Sequence, residues 1–157
     1  MTRPPNIATF LWMSANGQEA AEFYVSLLPD SRIVDVEDFG GVTKVISFEL
    51  GGHPYVIMEH PTEHMLNESF SIAARVDGQA EVDRLWDALM EGGQSMACGW
   101  LRDRFGICWQ ITPMQMDDLR KAGTPAQAQA VFEAMMHMIK FDVAALEAAF
   151  EAAGETA

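Results

Sequence analysis

Residues 98–113 read CGWLRDRFGICWQITP and hold two Cys, two Trp, an Arg-Asp-Arg triplet and a Gln. The thiols of Cys98 and Cys108 could serve as nucleophiles, but a thiol needs a neighbouring base or cation to become a reactive thiolate. No activating base is identifiable beside either. Their C-x9-C spacing also lacks the paired C-x2-C clusters of a zinc ribbon. Both read as small, half-buried strand residues that stay reduced in a chain without an export signal. Asp103 and Arg104 could act in acid–base catalysis, yet turn chemistry accounts for them as well. Asp103 would accept bonds from nearby backbone N–H groups, with Gly106 taking the unusual backbone conformation. Gln110 offers a ligand both a donor and an acceptor. Strand alternation puts it on one face with Cys108 and puts Ile107, Trp109 and Ile111 on the other.

A second chemical cluster, EHPTEH at 59–64, supplies Glu59, His60, Glu63 and His64. On a helix, two His four positions apart would share a face, as in zinc-protease motifs. Pro61 lies between them and the preceding strand alternation stops there, so the segment reads as a loop. Glu59, His53 and His60 are the other candidate general bases, but no Ser/His/Asp or Cys/His grouping can be placed.

These residues depend on a doubled pattern. IATFLWM (7–13) is a strand candidate, followed by a turn and QEAAEFYVSLL, in which Ala20, Phe23, Tyr24 and Leu27 fall on one helical face. FSIAARV (70–76) is another strand, and Val82, Leu85, Trp86 and Leu89 repeat the facing pattern 62 positions on. The first helix is followed by RIVDVEDF, VTKVISFEL and HPYVIMEH, separated by Gly40-Gly41 and Gly51-Gly52. Paired glycines supply the positive φ of hairpin turns, so these strands read as an antiparallel meander. QSMACGWL and FGICWQITP are the weaker strands after the second helix. The tail turns helical. Thr124-Pro125 starts one helix, with Val131, Met135 and Met138 on one face and Phe132, Met136 and Ile139 beside it. Asp142 caps another, VAALEAAFEAA, that closes at Gly154. Two such helices should cover the outer side of a sheet or meet a partner chain.

The chain has 157 residues, enough for a core without staples, and no apolar run near the ~20 residues of a membrane span. MTRPPNIATF lacks the apolar stretch and cleavage site of a secretory signal, so a cytoplasmic location is expected. Net charge is −13 with no basic stripe, which excludes phosphate-backbone binding and hence nucleic acid as a partner. No glycine-rich nucleotide loop on a strand–helix unit appears, so methyl transfer has no footprint.

The stretches FLWMSANGQEAAEFYVSLLPDSRI, CGWLRDRFGICWQITP and AMMHMIKFDVAALEAAF together resemble the PhnB-like branch of the vicinal oxygen chelate superfamily. That branch is also labelled demethylubiquinone methyltransferase-like. The resemblance implies an α+β fold: two βαβββ modules forming a curved, open mixed sheet around a cavity, plus C-terminal helices. It further implies one domain over 1–157, with module one at about 5–66, module two at about 67–115 and a helical extension at about 116–154. A homodimer is expected, from the resemblance and from the apolar helices.

Relatives such as glyoxalase I and extradiol dioxygenases hold a divalent metal through His or Glu on the first and last strands of each module. The corresponding places here are Thr9, Met58, Ser71 and Gln110, with Glu59 one residue from Met58. The 62-residue offset pairs Thr9 with Ser71. Thr, Met, Ser and neutral Gln are poor ligands for such ions, so no cofactor and no metal site are expected. Thr9, Leu11, Met58, Glu59, Ser71, Trp100 and Gln110 then become candidates for binding a small molecule. The sequence thus favours a metal-free small-molecule-binding protein of the glyoxalase/bleomycin-resistance type. An enzyme using the same cavity, of lyase or isomerase type, and an interaction protein working through the C-terminal helices are the alternatives.

Overall fold

A computed structural model of the chain describes residues 4–156. The elements run β1 (Thr9–Met13), α1 (Gly17–Leu27), β2 (Arg32–Phe39), β3 (Thr43–Leu50) and β4 (His53–Glu59) in the first half. The second half holds β5 (Ile72–Val76), α2 (Gln79–Met90), β6 (Gln94–Ser95), β7 (Trp100–Arg102) and β8 (Cys108–Pro113). Three helices follow: α3 (Met114–Ala122), α4 (Pro125–Met136) and α5 (Val143–Glu155). The chain separates into two compact units, one ending at Leu66 and the other beginning at Asn67.

Each unit is a βαβββ module with one topology. The first sheet has the order β1-β4-β3-β2 and the second β5-β8-β7-β6. In both, the strand before the helix pairs in parallel with the last strand, and the remaining pairs are antiparallel. The expected α+β architecture of paired βαβββ modules with C-terminal helices is therefore present.

In the first unit, Leu11, Met13, Ile46, Phe48, Leu50 and Ile57 are buried, as are Ala20, Ala21 and Tyr24 of α1. A Cβ on Gly17 would lie 2.6 Å from Ile57 Cγ2, so glycine lets α1 begin flush against β4. Asn16 makes no side-chain cap; instead Gln18 N donates to Glu59 Oε2 at 3.2 Å. A carboxylate at a helix N-terminus is favoured by the orphan N–H groups and the helix dipole. The glycine pairs at 40–41 and 51–52 all have positive φ, as the hairpin reading required.

The second unit buries Ile72, Val82, Leu85, Trp86, Leu89, Leu101, Trp109 and Ile111. The repeat is offset by 62 positions in the helices, Gly17 against Gln79, but by 63 in the strands, where Met13 and Val76 are the last residues of β1 and β5. The strand–helix turn is one residue shorter in the second unit. By strand position Thr9 therefore answers to Ile72, not to Ser71, and Gln110 answers to Val56.

The late strands differ from the sequence reading. QSMACGWL is not one strand but β6 and β7, joined by a turn in which Cys98 and Gly99 have positive φ. Cys98 thus lies in a turn; Cys108 is buried on β8, and both are free thiols. Among the described residues there are three C-terminal helices rather than two. The additional helix, α3, starts directly after Pro113, the last residue of β8, with Asp117 in its first turn and Arg120 and Lys121 in its last. Those charges complement the dipole, while only Met116 of α3 is buried, so apolar periodicity gave no signal.

Both helix starts read from the sequence are present: Thr124 and Gln127 form a reciprocal capping box, and Asp142 accepts from Ala145 N. The last helix runs to Glu155, past Gly154. These helices build a small core of their own from Met116, Val131, Phe141 and Leu146, with Cys98, Met135 and Met138 packed on it. Cys98 N and Gly99 N donate to the carbonyls of Met138 and Ile139 at 2.8 and 2.7 Å. The Gln79 amide donates to Phe141 O and accepts from Val143 N, tying the start of α2 to the start of α5.

Candidate functional site

Each sheet has one face under its helix and one face turned away. On the first sheet, Leu11 pairs with Ile57 and belongs to the buried face, and Thr9 pairs with Tyr55 in the same parity. Thr9 Oγ1 is hydrogen-bonded to His53 Nε2 at 3.0 Å. Glu59 is also on the α1 side, engaged by Gln18 N. Met58 is on the opposite face, beside Trp12 on β1 and Val45 on β3. Of the candidates from the first module, Met58 alone is on the face away from the helix.

That face is organised in rows across the strands. One row runs Asp35–Ser47–Val56–Phe10 and the next Glu37–Val45–Met58–Trp12, from β2 through β3 and β4 to β1. Acidic residues occupy the β2 end and aromatic residues the β1 end. A cavity of about 560 Å³ opens over it, with Pro4, Pro5, Ala8, Val34, Asp35, Glu37, Ser47, Glu49 and Val56 among its lining. At the other end, Trp12 Nε1 donates to His60 O at 2.9 Å, and the His64 ring meets the indole edge-on at 5.2 Å between centroids. Thr43 Oγ1 holds His60 Nδ1 at 2.7 Å. The EHPTEH segment is a loop beyond Glu59, as its proline indicated, and it meets Trp12, a residue 48 positions before His60, at both histidines.

On the second sheet the face opposite Leu101, Trp109 and Ile111 carries Trp100, Arg102, Gln110 and the buried Cys108; Trp100 pairs with Gln110 and Arg102 with Cys108. Gln110 Nε2 donates to Ser71 Oγ at 2.9 Å. The sequence candidates Ser71, Trp100 and Gln110 are thus brought together. Arg102 is ion-paired with Glu68, and its Nε is buried without a hydrogen-bond partner among the described residues. A backbone hydrogen bond and the Arg102 charge hold the Glu68 carboxyl below the usual carboxylate range. The Cys108 thiol, and then Glu68, push the Arg102 guanidinium up.

Trp109 points the other way, fully buried, and donates through Nε1 to Asp103 Oδ2 at 2.9 Å. Asp103 Oδ1 accepts from Phe105 N and Ile107 N at 2.9 and 3.0 Å, and Gly106 has φ +88°. The Asp-Arg-Phe-Gly segment is a turn built on a buried carboxylate, as its sequence indicated.

The donor set does not fit a divalent metal of the superfamily kind. Thr9 and Met58 face opposite sides of one sheet, Glu59 serves the α1 N-terminus, and Gln110 is bonded to a serine hydroxyl. Among the described residues, no three His, Cys, Asp or Glu side chains gather closely enough to hold a metal ion.

A family model described as 3-demethylubiquinone-9 3-methyltransferase matches residues 5–112 of this chain. The chain belongs to that family. A Bacillus cereus protein described as a 3-demethylubiquinone-9 3-methyltransferase, PhnB protein, is similar at 23% identity and TM-score 0.65, over 69% of this chain and 99% of that one. A Pseudomonas aeruginosa protein is similar at 22% identity and TM-score 0.60, over 70% of this chain and 98% of that one. The fosfomycin resistance protein FosX of Mesorhizobium loti matches at 14% identity and TM-score 0.51, over 82% and 99% of the two chains. At these identities the likeness is one of fold. No curated protein matches the sequence. The family match ends one residue before Pro113, so α3, α4 and α5 lie outside it.

Two features of the site escaped the sequence reading. Asp35 and Glu37 alternate along RIVDVEDF, which signals a shared strand face, but their facing partners Ser47 and Val45 follow only from the β2–β3 register. The Trp12–His64 contact spans a long sequence separation and had no local signal.

Proposed function

We propose that this protein binds a small molecule as a member of the glyoxalase/bleomycin-resistance type, without the superfamily's divalent metal, and that its modules act together as one ligand-binding domain. The observation that carries the reading is the cavity of about 560 Å³ on the helix-free face of the first sheet. Its size falls in the range of small-molecule sites, and its lining is largely apolar with a few polar groups, the usual make-up of such sites. The unsuitable donor set supports the metal-free part.

A thermal-shift screen with aromatic and cationic compounds tests binding. A ligand at a hundred times its Kd stabilises by about 2.7 kcal/mol, a rise of roughly 5–10 °C for a chain of this size. If no compound raises the Tm, the binding reading is lost. Elemental analysis of protein purified without added metal should find less than one equivalent of any transition metal. Stoichiometric Zn, Ni, Fe or Mn would overturn the metal-free part alone.

The same reading includes a cytoplasmic homodimer. Phe132, Met136 and Ile139 support it, since α4 and the segment after it leave these large apolar side chains about half exposed. No helix of the described residues is long and apolar enough to cross a membrane. Sedimentation equilibrium should give twice the 17.4 kDa chain mass, and a monomer at micromolar concentration would remove the dimer from the proposal.

A further inference from the structure

The face of the second sheet that carries Trp100 and Gln110 holds hydrogen-bond donors without acceptors to receive them. Arg102 on β7 donates through Nη2 to Glu68 Oε1, in the segment that leads into β5, and so reaches across β8 above its partner Cys108. Its Nε is nevertheless buried and has no acceptor among the described residues. The Cys108 thiol lies against the guanidinium, but a thiol is only a weak acceptor. Gln110 gives one amide N–H to Ser71 Oγ. Its second amide N–H and the serine O–H have no partner among the described residues. Three donors therefore converge from β7, β8 and the start of β5. A buried donor without an acceptor is costly, and an acceptor oxygen from a ligand removes that cost.

Glu68 shows which group the place accepts. Its side chain is 55% exposed and that of Arg102 35%, and ion pairs this open contribute little, so exchanging one carboxylate for another costs little. Glu68 meets Nη2 and leaves Nε. A guanidinium offers Nε and Nη2 as a fork that one carboxylate can take with both oxygens. A ligand carboxylate in that position satisfies the donor that Glu68 does not. Beside the fork, Ala73, Gln110 and Trp100 form one row across β5, β8 and β7. Ala73 is exposed and small, and Trp100 is half-buried, so an apolar body attached to the carboxylate has an indole to rest on.

We infer that this face binds an organic carboxylate, with Arg102 gripping it through Nε and Nη2 in place of Glu68, Ser71 and Gln110 donating to it, and Trp100 receiving its apolar body. Glu68 is then an internal competitor that a ligand must displace. Every residue involved belongs to the second unit, so the inference goes beyond the cavity of the first sheet and does not depend on it. A neutral ligand of equal shape gains only the apolar contact, and an ammonium group meets donors it cannot pair with.

Benzoate, benzyl alcohol and benzylamine test it, each titrated into isotopically labelled protein at about 0.15 M salt, where charges beyond ~8 Å are largely screened. Benzoate should bind at least about ten-fold more tightly than the alcohol, with the amine weakest. Its amide shifts should centre on Ser71, Trp100, Arg102 and Gln110. Removing the competitor by Glu68→Gln should tighten benzoate roughly three-fold and leave the alcohol unchanged. Arg102→Lys keeps the charge but loses the fork, and should weaken benzoate roughly five-fold without changing the alcohol. A native amide spectrum shows that each variant folds, and the exposed Glu68 keeps the test readable should the Arg102 variant fail. Equal binding of benzoate and alcohol, no binding by any of the three, or weaker benzoate binding in Glu68→Gln would each overturn the inference. Benzoate shifts centred on Ser47 and Val56 would also overturn it, while supporting the small-molecule reading of the first unit's cavity.

Discussion

Replacing Asp103 by alanine should cost about 3–5 kcal/mol and lower the Tm by roughly 10 °C. The carboxylate is 4% exposed and accepts from two backbone N–H groups and from the indole of Trp109. Alanine leaves the N–H of Ile107 and the indole N–H buried without this partner, and each such loss costs about 1–3 kcal/mol. Asp103→Asn separates the two sides of the carboxyl. Its oxygen can keep the backbone bonds, but its amide nitrogen then faces another donor at Trp109. The expected loss is about half that of alanine, and Trp109→Phe should relieve part of it, because phenylalanine has no N–H to leave opposed. Urea denaturation of Asp103→Asn, Trp109→Phe and the Asp103→Asn/Trp109→Phe double variant beside the parent gives the coupling directly. A loss below about 1 kcal/mol for Asp103→Ala would show that the turn does not depend on this carboxylate.

The second large effect is expected at Gly99. A Cβ there would lie 2.3 Å from Phe141 Cε2 and 3.0 Å from Ile111 O, at a backbone φ of +76°. The left-handed conformation costs a non-glycine residue about 1–2 kcal/mol, and overpacking a core typically adds about 1–3 kcal/mol. Gly99→Ala should therefore destabilise by roughly 2–5 kcal/mol, and unevenly. Phe141 is the residue through which the C-terminal helices sit on this turn, next to the backbone bonds from Cys98 and Gly99 to Met138 and Ile139. Hydrogen exchange should show protection lost across α3, α4 and α5 while β5, β7 and β8 keep theirs. In a Phe141→Ala background the added cost should shrink to the conformational part. Uniform loss of protection over both units would count against a local clash.

The two effects concern residues whose legibility differed. Asp103 was readable as a turn acceptor from its place ahead of Phe105-Gly106, because turn chemistry is local: the carboxylate and its backbone donors lie within four residues. Gly99 carried no such signal. What requires glycine there is a phenylalanine 42 positions away, and no spacing rule connects the two.

The same division runs through the whole protein. Its sequence by itself determined what depends on near neighbours: the facing pattern of α1 and α2, the hairpins at the glycine pairs, the caps at Thr124 and Asp142, and the module order strand–helix–strands. It also determined the chemistry of Gln110, a neutral amide that brings no charge to a metal. The tertiary structure decided what depends on register and on approach across the chain. One residue fewer in the second strand–helix turn moved the partner of Thr9 from Ser71 to Ile72, because side chains alternate with a period of two and a single-residue slip exchanges the faces. Strand pairing set Asp35 beside Ser47 and Val56 across three strands, and so gave the candidate site its charged edge. A helix face or a turn is fixed by the dihedrals of a few consecutive residues. A binding face is fixed by which strands lie side by side, and that is settled only when the chain packs.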